Sequence, residues 1–181
     1  MSSTLSNASP DRLQALIDRQ AIVDVLLWYC RGVDRNDRSA LERVYWPDSF
    51  DDHVHLKLPG PQYVDHVLKA TAQMRTSHHL GNILVEFDGP ARARCESYFL
   101  GLHEMADEDG GLVFMEIAGR YLDVFQKRGE DWRILERTLV YDFVQRRPAQ
   151  DFDTPWLARI NRRGAAFPDD PVYAALKPPG G

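Results

Sequence analysis

Two stretches of the chain carry residue types that could move a proton. The first is the end of a long apolar-striped segment near the N-terminus, which carries Tyr29 and Asp34. The second carries two adjacent imidazoles, His78 and His79. A buried carboxylate is costly unless it is paired, and imidazole is its usual partner where a proton is transferred. We therefore expect Asp34 to orient one of these imidazoles in a pocket, with Tyr29 in the same wall.

Each of these residues also has a purely structural interpretation. An acid at a helix end is often a cap or a turn former, and a tyrosine on an apolar stripe is often a core residue with a satisfied hydroxyl. Asp34 lies five residues after Tyr29, about 140° away on an ideal helix. For both to face one pocket the last helical turn must loosen, and Gly32 would permit this.

A cation in the last apolar strand is the fourth candidate. Arg137 sits among apolar neighbours, where an unpaired guanidinium would be too costly to keep. It must contact an anionic ligand group or an internal carboxylate, for example Asp34 or Glu96. The other histidines form no metal-ligand spacing, and we expect no metal site. They are His53, His55, His66 and His103.

Composition limits the classes of protein. The chain has 181 residues, 44% of them hydrophobic, which is enough for one domain with a core. The formal net charge of -5 without a basic block disfavours nucleic-acid binding. Cys30 and Cys95 have no zinc or redox spacing, which fits a cytoplasmic protein. The N-terminus has no secretory pattern and no segment suits a membrane span, so neither secretion nor a membrane partner is expected.

The order of elements indicates an α+β fold. Ser9 and Pro10 begin an amphipathic helix whose apolar residues recur at three-and-four spacing. A second, short helix ends near Trp46-Pro47, a strand follows, and residues 62–74 form a third helix. Four long strands come next, at about 78–87, 92–105, 112–126 and 131–145, joined by short turns that predict antiparallel hairpins. Apolar residues on both faces of the sheet predict a homo-oligomer, in which a neighbouring subunit covers one face.

The sequence resembles the SnoaL-like branch of the NTF2-like superfamily, in particular its scytalone dehydratase, bile-acid dehydratase and hexachlorocyclohexane dehydrochlorinase group. Gly32-Val33-Asp34 ends the first long helix, and Tyr29 precedes that Asp by five residues. His78 lies four residues before Asn82, and Arg137 lies five residues after Trp132. The match at Asn82 selects His78 over His79, because adjacent strand residues face opposite sides.

The resemblance implies a cone-shaped, curved, mixed or antiparallel sheet, a half-barrel wrapped by N-terminal helices. It also implies an Asp34–His78 dyad for elimination, no metal or other cofactor, and commonly a trimer, with a dimer as the alternative. In the predicted lyase His78 removes a proton, Tyr29 assists the leaving oxygen and Arg137 steadies negative charge. The substrate would be a small hydrophobic cyclic or aromatic molecule, and its predicted apolar wall consists of Leu26, Trp46, Leu84, Phe99, Met115 and Leu139.

Two other functions fit the same pattern. An isomerase or polyketide cyclase on this fold would use Asp34 itself as the base. A non-catalytic binding or assembly subunit, such as the small subunit of a ring-hydroxylating dioxygenase, would fill the pocket with side chains. The predicted domain spans residues 9–147, between a polar tail at 1–8 and an irregular extension at 148–181, which either caps a pocket, lies on a neighbour or is a frayed tail.

Overall fold

A computed structural model of the protein describes residues 10–149, 159 and 163–176. The helices are α1 (Pro10–Asp34), α2 (Arg38–Leu41), α3 (Gly60–Thr71) and α4 (Val172–Ala175). The strands are β1 (Tyr45–Asp52), β2 (Lys57–Pro59), β3 (Arg75–Phe87), β4 (Arg92–Ala106), β5 (Leu112–Arg128) and β6 (Asp131–Pro148). The predicted α+β layout is confirmed, with helices first and long hairpins afterwards.

The described strands form one six-stranded sheet in the order β2-β1-β6-β5-β4-β3. Strands β3 to β6 pair with their chain neighbours in antiparallel hairpins. Strand β1 is parallel to β6, and this single parallel pairing makes the sheet mixed. The parallel pairing places Tyr45 opposite Ile134, near the turn between β5 and β6.

Helix α1 is fixed on the sheet by a buried carboxylate in its first half. Asp18 accepts hydrogen bonds from Trp132 Nε1 at 2.8 Å and Lys127 Nζ at 3.0 Å. Further along the helix, Arg19 donates to the carbonyl oxygen of Ile83 at 3.0 Å. These contacts fix the start of α1 near the β5–β6 turn, so that its last residue, Asp34, reaches the first residues of β3.

The end of α1 differs from the prediction. The helix stays α-helical through Asp34 and does not loosen at Gly32. A Cβ at Gly32 would lie 2.5 Å from Cγ of Leu41, so glycine is needed there for the close approach of α2. Tyr29 and Asp34 consequently point to different partners.

Register shifts between paired strands help to decide which strand residues face the core. The register between β3 and β4 shifts between Leu80 and Ile83, and the register between β5 and β6 shifts between Val124 and Phe125. Each extra residue reverses the alternation of side chains beyond it. Ile134 therefore belongs to the buried core together with Leu139, although a regular strand would separate them.

The chain after β6 is described only in part. Residues 163–176 lie against the turn that follows α1 and end with the short helix α4. The tail predicted at residues 1–8 lies outside the described residues, as do residues 150–158, 160–162 and 177–181 of the predicted extension. Within the described part of the chain, no helix has the length and apolar character needed to cross a membrane.

Candidate functional site

Asp34 and His78 form a closely held pair at the junction of α1 and β3. Asp34 Oδ1 lies 2.7 Å from His78 Nδ1, and Asp34 Oδ2 accepts a hydrogen bond from the backbone N–H of His78 at 2.8 Å. The Thr76 hydroxyl donates to Asp34 Oδ1 at 2.9 Å. The predicted contact is therefore present, and it leaves Nε2 as the imidazole nitrogen not bound by the carboxylate.

Electrostatics keep the Asp34 carboxyl ionised. Burial alone would raise the pKa of Asp34, but hydrogen bonds and the charge interaction with His78, together with the Thr76 hydroxyl, lower it below its ordinary value. A carboxylate held this way fixes the ring orientation and favours a proton on Nδ1 of His78. The free Nε2 can then accept a proton from another molecule.

A second imidazole, not predicted as part of the site, adjoins the pair. The rings of His78 and His103 meet edge to face, with centroids 5.2 Å apart. Burial and the neighbouring His78 lower the pKa of His103 to about 4, so it is neutral near pH 7. Its Nδ1 is buried and has no hydrogen-bond partner within the described ranges.

Gly101 makes room for the two imidazoles. It pairs directly with His78 across β3 and β4, and a Cβ there would lie 2.9 Å from Cε1 of His103 and 3.4 Å from Nε2 of His78. One feature of the sequence could have placed His103 beside His78, namely its position two residues beyond Gly101 in a strand antiparallel to β3. Reading that signal needs the strand register, which spacing alone does not provide.

Tyr29 belongs to a different buried network. Its hydroxyl lies 2.9 Å from the Tyr63 hydroxyl, which in turn lies 2.9 Å from Nε2 of His53. Nδ1 of His53 contacts Asp51, and the Tyr45 hydroxyl also donates to Asp51, at 2.7 Å. Burial raises the pKa of Tyr29 to about 12. The structure therefore matches the core interpretation of Tyr29.

Arg137 is also occupied internally. Its Nε and Nη2 each donate to Asp123 at 2.7 Å, and its guanidinium carbon lies 4.3 Å and 4.1 Å from the ring centroids of Tyr29 and Tyr121. The side chain is completely buried. The salt-bridge alternative is the one found, with Asp123 as partner in place of Asp34 or Glu96; Glu96 pairs with Arg120 instead.

The predicted apolar wall is divided by the structure. Leu26, Leu139 and Phe99 lie in the buried core, where the Phe99 ring stacks on Tyr121 with centroids 4.4 Å apart. Met115 pairs with His103 across β4 and β5, and so lies beside the second imidazole.

Two predicted wall residues lie elsewhere and are corrections. Leu84 is 55% exposed and lines an open depression of about 440 Å³ on the outer sheet face, because the β3 bulge reverses its side relative to His78. Trp46 lies near the β5–β6 turn, where its Nε1 donates to the carbonyl oxygen of Gln126 at 2.9 Å, because β1 runs parallel to β6.

The described side chains that could ligate a metal lie apart from one another or in groups too small to hold an ion. Among residues 10–149 and 163–176, no three His, Cys, Asp or Glu side chains converge as a metal site would require. Cys30 and Cys95 are buried free thiols, and burial raises the pKa of each to about 12.

The chain belongs to the SnoaL-like domain family, whose pattern matches residues 14–138. This span contains Asp34, His78, His103 and Arg137. Among curated proteins, no sequence matches the chain.

Solved structures with the same fold include enzymes and subunits of larger assemblies. A candidate scytalone dehydratase from Novosphingobium aromaticivorans DSM 12444 is 21% identical, with a TM-score of 0.66, covering 78% of this chain and 97% of that one. A LinA-type3 hexachlorocyclohexane dehydrochlorinase from Novosphingobium barchaimii LL02 is 19% identical, with a TM-score of 0.67, covering 79% and 99%. A candidate beta subunit of an aromatic-ring-hydroxylating dioxygenase from Novosphingobium aromaticivorans DSM 12444 is 19% identical, with a TM-score of 0.56, covering 72% and 93%. At these identities the similarity establishes the NTF2-like fold.

Proposed function

We propose that the protein is a cofactor-independent lyase that eliminates water from a small hydrophobic cyclic or aromatic substrate. The observation that supports this is the Asp34–His78 pair, in which the carboxylate engages both Nδ1 and the backbone N–H of the same histidine. Such a double contact fixes the imidazole in position and orientation, which is what a general base requires.

In the proposed reaction His78 Nε2 takes a proton from the carbon next to a substrate carbonyl. The electrons of that C–H bond form the new C=C bond as the bond to the neighbouring hydroxyl breaks. The imidazolium then returns its proton to the departing hydroxyl, and water leaves. Asp34 stabilises the imidazolium, and because the step is redox-neutral it requires no redox cofactor.

We assign His103 a role as hydrogen-bond donor because its ring contacts that of His78. As a neutral imidazole beside His78 it can donate a hydrogen bond to oxygen without repelling the imidazolium as strongly as a second cation would. Leu80 follows His78 by two residues on β3, and Ile117 pairs with Gly101, the partner of His78. Both are partly buried apolar side chains and suit a hydrophobic substrate.

Tyr29 and Arg137 are assigned supporting roles in the core, because the Tyr29 hydroxyl contacts Tyr63 and because Nε and Nη2 of Arg137 donate to Asp123. Nη1 of Arg137 is buried and has no hydrogen-bond partner among the described residues.

The isomerase or cyclase alternative places the base on Asp34. Both carboxylate oxygens of Asp34 already accept hydrogen bonds, and the pKa of Asp34 is lowered, which makes it a weak base. This favours His78 as the proton acceptor.

A hydrogen–deuterium exchange assay tests the proposal. Bicyclic β-hydroxy ketones incubated with the protein in deuterium oxide should exchange the proton next to the carbonyl and lose water, as measured by mass spectrometry. His78→Ala should reduce both rates by at least about 100-fold. His79→Ala is the matched control, because its imidazole is exposed and contacts Ser77, and it should leave both rates unchanged. Tyr29→Phe should retain most of the activity.

Three results would contradict the lyase. The isomerase would be supported if the ketone exchanges its proton without losing water, and if this exchange persists in His78→Ala but is lost in Asp34→Asn. Equal rates in wild type and His78→Ala would remove His78 as the base. If no ketone exchanges its proton and no ketone raises the melting temperature, a non-catalytic binding or assembly subunit would be favoured.

A further inference from the structure

We propose that residues 163–176, here called the C-terminal clasp, position Asp34 for its contact with His78, with Tyr173 and Asp170 as the positioning residues. The clasp lies on the turn that directly follows Asp34, although more than 120 residues separate the two in the chain. The importance of this positioning for catalysis rests on the proposed function, whereas the contacts themselves do not.

The clasp binds Arg35, the residue next to Asp34, by both backbone and side chain. The backbone N–H of Phe167 donates to the carbonyl oxygen of Arg35 at 2.6 Å, and Asp170 Oδ2 lies 3.4 Å from Nε of Arg35. Gly164 lies under the same guanidinium, since a Cβ there would be 3.2 Å from Nη1. Arg35 Nη1 in turn donates to the carbonyl oxygen of Asp34 at 3.0 Å.

A second contact fixes the turn two residues further on. The Tyr173 hydroxyl donates to Asp37 Oδ2 at 2.7 Å, while Asp37 Oδ1 accepts from the backbone N–H of Ala40 and caps α2. The backbone N–H of Asp37 donates to the carbonyl oxygen of Gly32 at 2.8 Å. Tyr173 is therefore linked through Asp37 to both sides of Asp34.

The clasp is itself organised around Asp170. This buried carboxylate accepts from the backbone N–H of Ala165 and of Val172, each at 2.9 Å. The Phe167 and Tyr173 rings pack edge to face with centroids 4.9 Å apart. The segment is thus an ordered loop that presents a phenol and a carboxylate to the turn.

The opposite side of the turn is held by α3. Asn36, whose φ is +50°, donates from Nδ2 to the carbonyl oxygen of Leu68 at 2.7 Å. The turn is therefore held between α3 and the clasp. Three hydrogen bonds of 2.7 to 2.9 Å converge on the Asp34 carboxylate, and such geometry tolerates displacements of only about 0.5 Å. Loss of one side of this support should loosen the carboxylate from His78.

The test is nuclear magnetic resonance on the full chain, with wild type compared with Tyr173→Phe and Asp170→Asn. We expect the His78 Nδ1 proton to exchange with water about five-fold faster in each variant, the factor contributed by one hydrogen bond. The carboxyl ¹³C titration of Asp34 should shift to higher pH, because its hydrogen bonds are made less of the time. Tyr98→Phe is the control, since it removes a phenol hydroxyl from the outer face of β4, and it should change neither value.

Amide exchange in β4 and β5 separates positioning from general stability. Faster exchange at His78 with unchanged amide exchange in these strands supports the clasp as a positioning element. Unchanged values at His78 and Asp34 in both variants, or equal acceleration throughout the sheet, would overturn it. Neither measurement uses a substrate, so the clasp and the lyase can fail independently.

Discussion

His78 and His103 meet edge to face, with their ring planes at 90° and their centroids 5.2 Å apart, over a strand position where only glycine fits without displacement. One imidazole is bound by a carboxylate, and the other is neutral because burial and the first imidazole oppose its charge. In the proposed lyase this gives the two rings different tasks: His78 accepts the proton, and His103 donates a hydrogen bond.

Gly101→Ala is expected to separate the two rings. Its methyl group would push Cε1 of His103 aside from a distance of 2.9 Å, and the side chain can rotate away without disturbing the backbone. We expect proton abstraction to fall by about 10- to 100-fold, with only a small change in melting temperature. Gly81→Ala is the control, because a Cβ there meets Tyr98 Cβ at 3.6 Å, an ordinary contact. Wild-type activity in Gly101→Ala would exclude a role for the ring pair.

His103 is expected to make stability depend on pH. Its pKa is about 4 in the folded protein and about 6.5 in the unfolded chain, so between these values the unfolded state binds more protons. The stabilisation is therefore present above about pH 6.5 and is lost as the pH falls towards 4, by up to about 3 kcal/mol. Urea unfolding at several pH values measures it. His103→Gln should flatten this slope, whereas His79→Gln should keep it.

Asp123→Asn should destabilise the core strongly. It leaves the Arg137 guanidinium buried against two aromatic rings without its counter-charge. We expect the free energy of unfolding to fall by about 3–5 kcal/mol. Asp142→Asn removes a partner of Arg120 at the surface and should cost less than about 1 kcal/mol. A similar small loss in both variants would mean that the Arg137 pair is not a major contributor to stability.

The outer face of the sheet is expected to contact a second copy of the chain. Leu84 and Leu122 border the open depression there and are 55% and 40% exposed, respectively. Light scattering should therefore give a mass two or three times the 20.7 kDa of one chain. Leu84→Glu combined with Leu122→Glu should shift the protein towards the monomer. A wild-type monomer at high concentration would contradict the prediction.

The sequence predicted the elements more reliably than the directions of their side chains. Short turns containing glycine marked the ends of the long strands, and the resemblance at Asp34 and Asn82 selected His78 correctly as the imidazole in contact with Asp34. The predicted place of Leu84 in the pocket wall was wrong because a bulge between Leu80 and Ile83 adds one residue to β3. Gly81 within the strand was the available signal, but a single glycine does not fix on which strand the extra residue lies.

Tyr29 and Asp34 illustrate the same limit on α1. Both were expected in one wall, yet a regular helical end sends the carboxylate to β3 and the phenol to Tyr63 on α3. His103 was missed for a related reason, since its proximity to His78 arises from strand pairing. Contacts of this kind depend on register, which is a property of the folded sheet.

The final residues of β6 extend beyond the buried core. Every residue from 141 to 148 is exposed, whereas Ile134 and Leu139 on the same strand are buried. Val144 in this overhang aligns through Ile117 and Gly101 with His78. Changes of side chain on the overhang should therefore cost little folding energy. In the proposed lyase they would alter the same row of the sheet as His78, so a substrate that spans this row would be discriminated without rebuilding the interior.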